Sequence, residues 1–89
     1  MAAIKVEIVN RRGLHARASA KFVKLAETFD AHVTIEKDGS SVSGSSIMGL
    51  MMLAAAKGDS IHLDATGPEG EAAQSALKAL VEAGFHEED

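Results

Sequence analysis

A histidine stands at the start of a predicted helix, beside a cationic side chain. His15 follows Gly13 and precedes Arg17 in the segment Gly-Leu-His-Ala-Arg. Neutral imidazole is a good nucleophile near neutral pH, since its unperturbed pKa is about 6.5. A helix start favours a bound anion, and a nearby guanidinium can neutralise phosphoryl oxygens. A phosphoryl group carried on His15 and neutralised by Arg17 is therefore one chemistry that these residue types and their spacing allow.

The charges around this histidine are unevenly distributed. The net charge is -4, yet no acidic residue lies between Glu7 and Glu27, where five of the nine basic side chains fall. These five are Arg11, Arg12, Arg17, Lys21 and Lys24. The acidic total argues against general nucleic-acid binding, because lysine and arginine dominate affinity for a phosphate backbone. The cluster predicts a local positive face, either a solvated surface or part of a docking site.

Other interpretations of His15 stay open at this point. A single histidine, considered without further information, is more often an exposed residue with no chemical role. A metal site is disfavoured, because His32, His62 and His86 fall in separate elements without paired ligand spacing. No serine-histidine-acid arrangement can be assigned from the sequence, and no cofactor is implied.

Length and composition narrow the class of protein. The 89 residues suffice for one compact domain, residues 1–89, and leave little room for a deep substrate cleft. The absence of cysteine suits a reducing compartment, and the N-terminus does not resemble a signal peptide, so we expect a cytoplasmic location. The longest apolar stretch, residues 47–56, is far shorter than the roughly 20 residues of a membrane-spanning helix. We expect no membrane insertion.

Two periodicities alternate along the chain. Alternating apolar and polar residues predict four strands, at residues 3–9, 31–37, 40–43 and 60–65. Apolar stripes at helical spacing predict three helices, at residues 16–28, from Ser45 or Ser46 to residue 53, and after residues 67–69 up to Gly84. Asp38-Gly39 favours a tight hairpin turn. The polar tail, residues 86–89, is expected to fray.

The predicted element order is β-α-β-β-α-β-α. Strands with one apolar face and helices with one apolar stripe are best satisfied by two layers. We therefore expect an α+β fold, a two-layer open-faced sandwich in which a four-stranded antiparallel sheet carries three helices on one face. His32 and His62 should lie on the solvated face, opposite Val33 and Leu63.

The second predicted helix carries an apolar run of Ile47, Met48, Met51 and Met52. Core packing is the commoner fate of such a stripe. A helix this short, with apolar residues nearly all round, must nevertheless expose some of them. Flexible methionines suit a surface that meets several partners, so the run also predicts a docking surface.

Two segments together resemble a known family. GLHARASAKFV at residues 13–23 is similar to the active-site signature of HPr, the histidine-containing phosphocarrier of the bacterial phosphotransferase system. SSIMGLMML at residues 45–53 is similar to its second signature, and the predicted element order is that of the HPr fold over essentially the whole chain. The resemblance implies that His15 is phosphorylated, that Arg17 is its arginine partner, and that Ser46 is the regulatory serine of some members.

The resemblance also implies partners. The donor would be phosphorylated Enzyme I, the acceptor a IIA-type protein, and a serine kinase/phosphorylase could act on Ser46. The residues expected to contact partners are Arg12, Ala16, Lys21, Lys24, Ile47, Met48 and Met51. We expect the carrier to be a monomer. Ala18 stands where sugar-system members usually carry proline, which looks more like the nitrogen-related branch, and the branch stays open.

We therefore expect a phosphocarrier and not a free-standing enzyme. One rival is a regulatory binding module of the same fold, controlling a partner enzyme according to its own phosphorylation state. A second rival is a small acid-anhydride hydrolase built around Arg17. It is disfavoured because the sequence indicates neither a deep pocket nor a general base.

Overall fold

The computed structural model describes residues 3–87 and has the predicted element order. The strands are β1 (Ile4–Glu7), β2 (His32–Lys37), β3 (Ser40–Ser43) and β4 (Ser60–Thr66). The helices are α1 (Ala16–Ala26), α2 (Ile47–Met52) and α3 (Gly70–Glu82), followed by a short 3-10 turn at Gly84–His86. The α+β prediction is confirmed.

All strand pairs in the sheet are antiparallel, in the order β1-β4-β2-β3. The last strand in the chain is therefore an inner strand, with Leu63 opposite both Ile4 and Ile35. The β2-β3 hairpin turns at Asp38 and Gly39, whose φ values are 50° and 84°. Asparagine, aspartate and glycine tolerate this left-handed region, which is why Asp-Gly marked the turn.

One face of the sheet is covered and the other is open. Val6, Ile35, Ile61 and Leu63 are at most 2% exposed and form the sheet's share of the core. The helices supply the other layer, chiefly through Phe22 of α1 and Leu77 and Val81 of α3. His32 and His62 are exposed, as predicted for the solvated face.

Several predicted elements extend one or two residues too far, and hydrogen bonds explain the ends of α1 and β1. α1 stops at Ala26, because the N–H of Thr28 turns to the Leu25 carbonyl and the Thr28 hydroxyl donates to the same oxygen at 2.7 Å. β1 stops at Glu7, although Ile8 continues to pair: its N–H donates to Asp59 and its carbonyl accepts from Gly58.

The polar C-terminal segment is fixed, so the prediction that it frays is wrong for residues 86 and 87, while residues 88 and 89 lie outside the described part. Phe85 is fully buried and anchors the segment. Gly84, Phe85 and His86 have φ near 60°, which reverses the chain after α3. Lys21 Nζ donates to the Phe85 carbonyl at 2.7 Å. Burial of one aromatic ring outweighs the polarity of its neighbours.

Candidate active site

The loop before α1 is pinned by its glycine. Gly13 has φ +65°, and a Cβ at this position would lie 2.2 Å from the Ala55 carbonyl oxygen. The next residue, Leu14, donates its N–H to that same oxygen at 3.0 Å. The buried Asn10 side chain donates to the Gly13 carbonyl at 2.9 Å. Only glycine fits this close approach, and the loop therefore delivers His15 to the helix start at a fixed position.

His15 is the N-cap residue of α1. Its backbone is extended, and its carbonyl accepts from the N–H of Ser19 at 2.9 Å. Its ring Nδ1 accepts from the backbone N–H of Arg17 at 3.3 Å. The Nδ1 lone pair thus faces the first N–H groups of the helix, the groups that an anion would otherwise bind.

The other ring nitrogen meets a carboxylate from the far end of the chain. His15 Nε2 is hydrogen-bonded to Oε2 of Glu87, whose side chain is only 12% exposed. Asn10 Nδ2 donates to Oε1 of the same carboxylate at 2.9 Å. An ionised carboxylate only accepts hydrogen bonds, so the proton of the neutral imidazole lies on Nε2. Nδ1 is left as the nucleophilic atom.

The Glu87 carboxyl is held in its charged form. Its burial, the largest single cause, raises the pKa, whereas hydrogen bonds from Asn10 and His15 lower it. The charge of Lys21, and that of His15 when its ring is protonated, also lower it, and the net result of all these causes is a pKa below the ordinary value of 4.5. Glu87 is therefore an anion at neutral pH.

The side chain of Arg17 is not held by the described part of the protein. The residue is exposed, and among residues 3–87 its guanidinium has neither a hydrogen bond nor an ion pair. A guanidinium in this position, in the first turn of α1, is available to an anion carried on Nδ1.

The apolar surface of α2 lies beside this loop. Leu50 is buried, whereas Ile47, Met48, Met51 and Met52 are 40%, 69%, 39% and 78% exposed. α1 packs against α2, and the bond from Leu14 to Ala55 joins the His15 loop to the segment that follows α2. Core packing therefore does not account for these four side chains. We call them the apolar patch.

The remaining predicted residues differ in their surroundings. Arg12, Ala16 and Lys24 are exposed near the start or along the length of α1. Lys21 is half-buried and its ammonium is occupied by the Phe85 carbonyl, so it braces the C-terminal segment. Ser46 is half-buried at the start of α2, where its Oγ accepts from the Gly49 N–H at 2.9 Å.

Two residues of the site escaped prediction from the sequence. Asn10 is only 3% exposed and joins the Gly13 loop to Glu87, yet it follows a strand like any loop residue. Glu87 stands in a run of polar residues with no periodicity. Phe85 was the available signal, because an aromatic residue two positions earlier predicts an anchor for such a tail.

The structure is an open-faced α+β sandwich with a histidine at the start of its first helix, and the comparisons with known proteins give the class of protein to which this arrangement belongs. The family model described as the PTS HPr component phosphorylation site matches residues 2–83. The chain belongs to the HPr family of phosphotransferase-system phosphocarriers.

Relatives and solved structures agree with this assignment. The phosphocarrier protein HPr of Neisseria meningitidis serogroup A is 50% identical over 82 residues, which cover 92% of each chain. The phosphocarrier protein NPr of Escherichia coli K12 is 43% identical over 84 residues, or 93% of each chain. The crystal structure of HPr from Thermoanaerobacter tengcongensis has 42% identity and a TM-score of 0.94, with both chains fully covered. Proteins named HPr and proteins named NPr thus both occur among the relatives.

In the part of the chain from residue 3 to residue 87, none of the helices has the length and apolar character needed to cross a membrane.

Proposed function

We propose that the chain carries a phosphoryl group on Nδ1 of His15, taken from phosphorylated Enzyme I and passed to a IIA-type acceptor. One observation carries this proposal. The two ring nitrogens have different partners, since Nε2 is engaged by Glu87 and Nδ1 faces the start of α1. Only Nδ1 has both an unprotonated electron pair, held by no more than the 3.3 Å contact with the Arg17 N–H, and an environment suited to an anion.

The transfer is an in-line displacement between two histidines. The Nδ1 lone pair of His15 forms the new N–P bond while the N–P bond of the donor breaks, and the donor imidazole leaves. The phosphoryl oxygens then accept from N–H groups of the first turn and from the Arg17 guanidinium. Delivery to the acceptor reverses these roles and returns His15 to its starting form.

Both partners would dock on the same face. The exposed cations near His15, among them Arg12 and Lys24, suit acidic partner surfaces and speed encounter. The apolar patch, including Met48 and Met51, supplies contacts that do not depend on salt. A phosphate on Ser46 would lie at the edge of this patch, where its charge would weaken docking.

The apolar patch also favours a second function. A regulatory module needs a recognition surface but no nucleophile, and the patch would serve a partner enzyme equally well. In that case phosphorylation of His15 would switch binding instead of carrying a group onward.

The test compares phosphorylation of the wild type with that of His15→Ala. Labelled phosphoenolpyruvate and Enzyme I should label the wild type with one acid-labile phosphate, and the variant should take up none. His32→Ala is the control, because His32 is exposed on the open sheet face and should label normally. Undiminished labelling of a folded His15→Ala protein overturns the proposal. If the phosphate is not passed on to a IIA-type protein but changes the binding of the chain to an enzyme, the regulatory module is favoured.

A further inference from the structure

We infer that Glu87 is a positioning residue for phosphoryl transfer, which holds the proton of His15 on Nε2 and thereby keeps Nδ1 nucleophilic. The inference rests on the proposed function, because it concerns the same histidine. Each of the two carboxylate oxygens of Glu87 accepts from one donor, Oε2 from Nε2 of His15 and Oε1 from Nδ2 of Asn10. Which imidazole nitrogen carries the proton is set by the bond that the other nitrogen makes.

The carboxylate is held in place by the chain that carries it. Phe85 is fully buried two residues before Glu87, and its carbonyl accepts from Lys21. The chain reversal at residues 84–86, with three successive positive φ values, aims the next side chain back toward α1. The side chains of His15 and Glu87 are only 22% and 12% exposed. A loose tail would give none of these restraints.

The arrangement also affects the charge that develops during transfer. When Nδ1 forms its bond to phosphorus, the ring still holds the proton on Nε2 and becomes positively charged. The Glu87 carboxylate stabilises that charge on the side of the ring away from the phosphoryl group. On delivery, the N–P bond breaks with its electrons going to Nδ1, and His15 leaves as neutral imidazole without needing a proton from solvent.

The hydrogen bonds of Asn10 allow a specific prediction for the tautomer of His15 in Glu87→Gln. Its Nδ2 donates both to the Gly13 carbonyl and to Glu87, so an amide placed at residue 87 must turn its oxygen toward Asn10. The NH2 of that amide then faces His15 Nε2, which has to accept. The proton moves to Nδ1, where it opposes the N–H of Arg17. Glu87→Gln should therefore invert the tautomer of His15.

The direct readout is 15N NMR of the histidine ring in mildly alkaline buffer, where imidazole is neutral. We expect the Nε2–H tautomer in the wild type and predominantly Nδ1–H in Glu87→Gln. Glu82→Gln is the matched control, because Glu82 is exposed at the end of α3 and its loss removes the same charge. A ring that stays in the Nε2–H form in folded Glu87→Gln overturns the inference.

The second readout is the rate of phosphorylation, measured with Enzyme I and with phosphoramidate as a small donor that needs no docking surface. In metal sites, loss of the group that orients a ligating histidine typically costs 10–100-fold, and by analogy we expect at least about a tenfold drop with both donors in Glu87→Gln. In Glu87→Ala, which removes both bonds, the tautomers should mix and the rate should fall less. Equal rates for Glu87→Gln and Glu82→Gln contradict the inference.

The two proposals fail separately. If His15→Ala abolishes labelling while Glu87→Gln changes neither tautomer nor rate, the carrier function stands and the role of Glu87 is wrong. If His15→Ala still labels, the carrier site is wrong, while the NMR comparison continues to report whether Glu87 holds the ring. The dispersion of amide chemical shifts in the NMR spectrum of each variant will be used to check that the variant is folded.

Discussion

The starts of α1 and α2 use the same local device for different purposes. Each helix begins with a polar side chain that accepts from its own backbone, His15 Nδ1 from Arg17 and Ser46 Oγ from Gly49. At α1 the capping atom belongs to a ring that a distant carboxylate also holds. At α2 the cap is a local hydroxyl, and the helix beyond it exposes four apolar side chains.

Under the proposed function, this difference separates the chemistry at the start of α1 from the recognition of partners at α2. A reactive group must be held by more contacts than its own turn provides. At α1, Glu87 supplies the additional contact to His15, and Asn10 holds both Glu87 and the carbonyl of Gly13. A recognition surface needs only a presented face, so a helix of six residues with Leu50 as its buried anchor is enough at α2. Changes at α1 should thus alter rates, and changes at α2 should alter affinity.

The largest expected effect is that of Gly13→Ala. The left-handed backbone alone costs about 1–2 kcal/mol for a residue with a side chain, and the clash with the Ala55 carbonyl adds to it. We expect a lower free energy of unfolding, measured by urea denaturation, together with slower phosphorylation. Gly39→Ala is the control, because it has a positive φ but nothing within 4 Å of its added Cβ. If both variants lost equal stability, the close approach at Gly13 would not matter.

Arg17→Ala should slow transfer without changing the fold. One charge-assisted contact to a phosphoryl group is worth at most about 1.5–3 kcal/mol, so the rate should fall by up to about 100-fold. Rapid-quench kinetics with Enzyme I would measure it. Arg12→Ala removes an exposed cation from the preceding loop and serves as the comparison. Identical rates for the two variants would show that Arg17 acts only as a surface charge.

Met48→Asp and Lys24→Glu test the docking face, and each should weaken binding to Enzyme I and to the acceptor. Salt separates the two effects. Screening at high ionic strength should erase most of the Lys24 effect, whereas the loss at Met48 should persist. Isothermal titration calorimetry at two salt concentrations gives the affinities. An NMR titration that moved only the far end of α3 would exclude this face as the docking site.

At the start of α2, Ser46→Ala should cost about 1 kcal/mol of stability, because the bond to the Gly49 N–H is lost. Ser46→Asp can keep the cap and adds a negative charge beside the apolar patch, so it should slow transfer while the protein stays folded. Melting temperatures and labelling rates are measured together. Ser45→Ala is the neighbour control. Transfer by Ser46→Asp at the wild-type rate would leave the residue as a helix cap only.

Acid should loosen the start of α1 before that of α2, and this is the smallest effect expected. The pKa of Glu87 is lowered in the folded protein, so its stabilising contribution is complete above about pH 4.5 and is lost as the pH falls through the folded value. Amide exchange near His15 should rise in that window, while Ser46 keeps its cap. The Glu87→Gln protein should lack this rise in amide exchange. A rise of equal size in that variant would show that another carboxyl group causes it.

Local patterns predicted the elements, and the resemblance of residues 13–23 to HPr indicated His15 as the candidate nucleophile, because both depend on residues that are close in the sequence. The alternation around Val33 and the helical stripe ending in Phe29 depend on spacing alone, and His15 and Arg17 share one turn. Glu87 could not be found in this way, since 72 positions separate it from its partner. Its position depends on how Phe85 packs, which is a property of the folded core and not of the tail.

The position of β4 inside the sheet has a consequence for synthesis. β1 pairs only with β4 among the described strands, and β2 also pairs with it, so the first strand has no neighbour until residues 60–66 have been made. A growing chain therefore cannot assemble its sheet in the order of translation, and contacts between distant positions slow folding. The His15 loop, which docks on Ala55, and the carboxylate at residue 87 complete the site last. We expect a nascent carrier to have no competent histidine until residue 87 has left the ribosome and can reach His15.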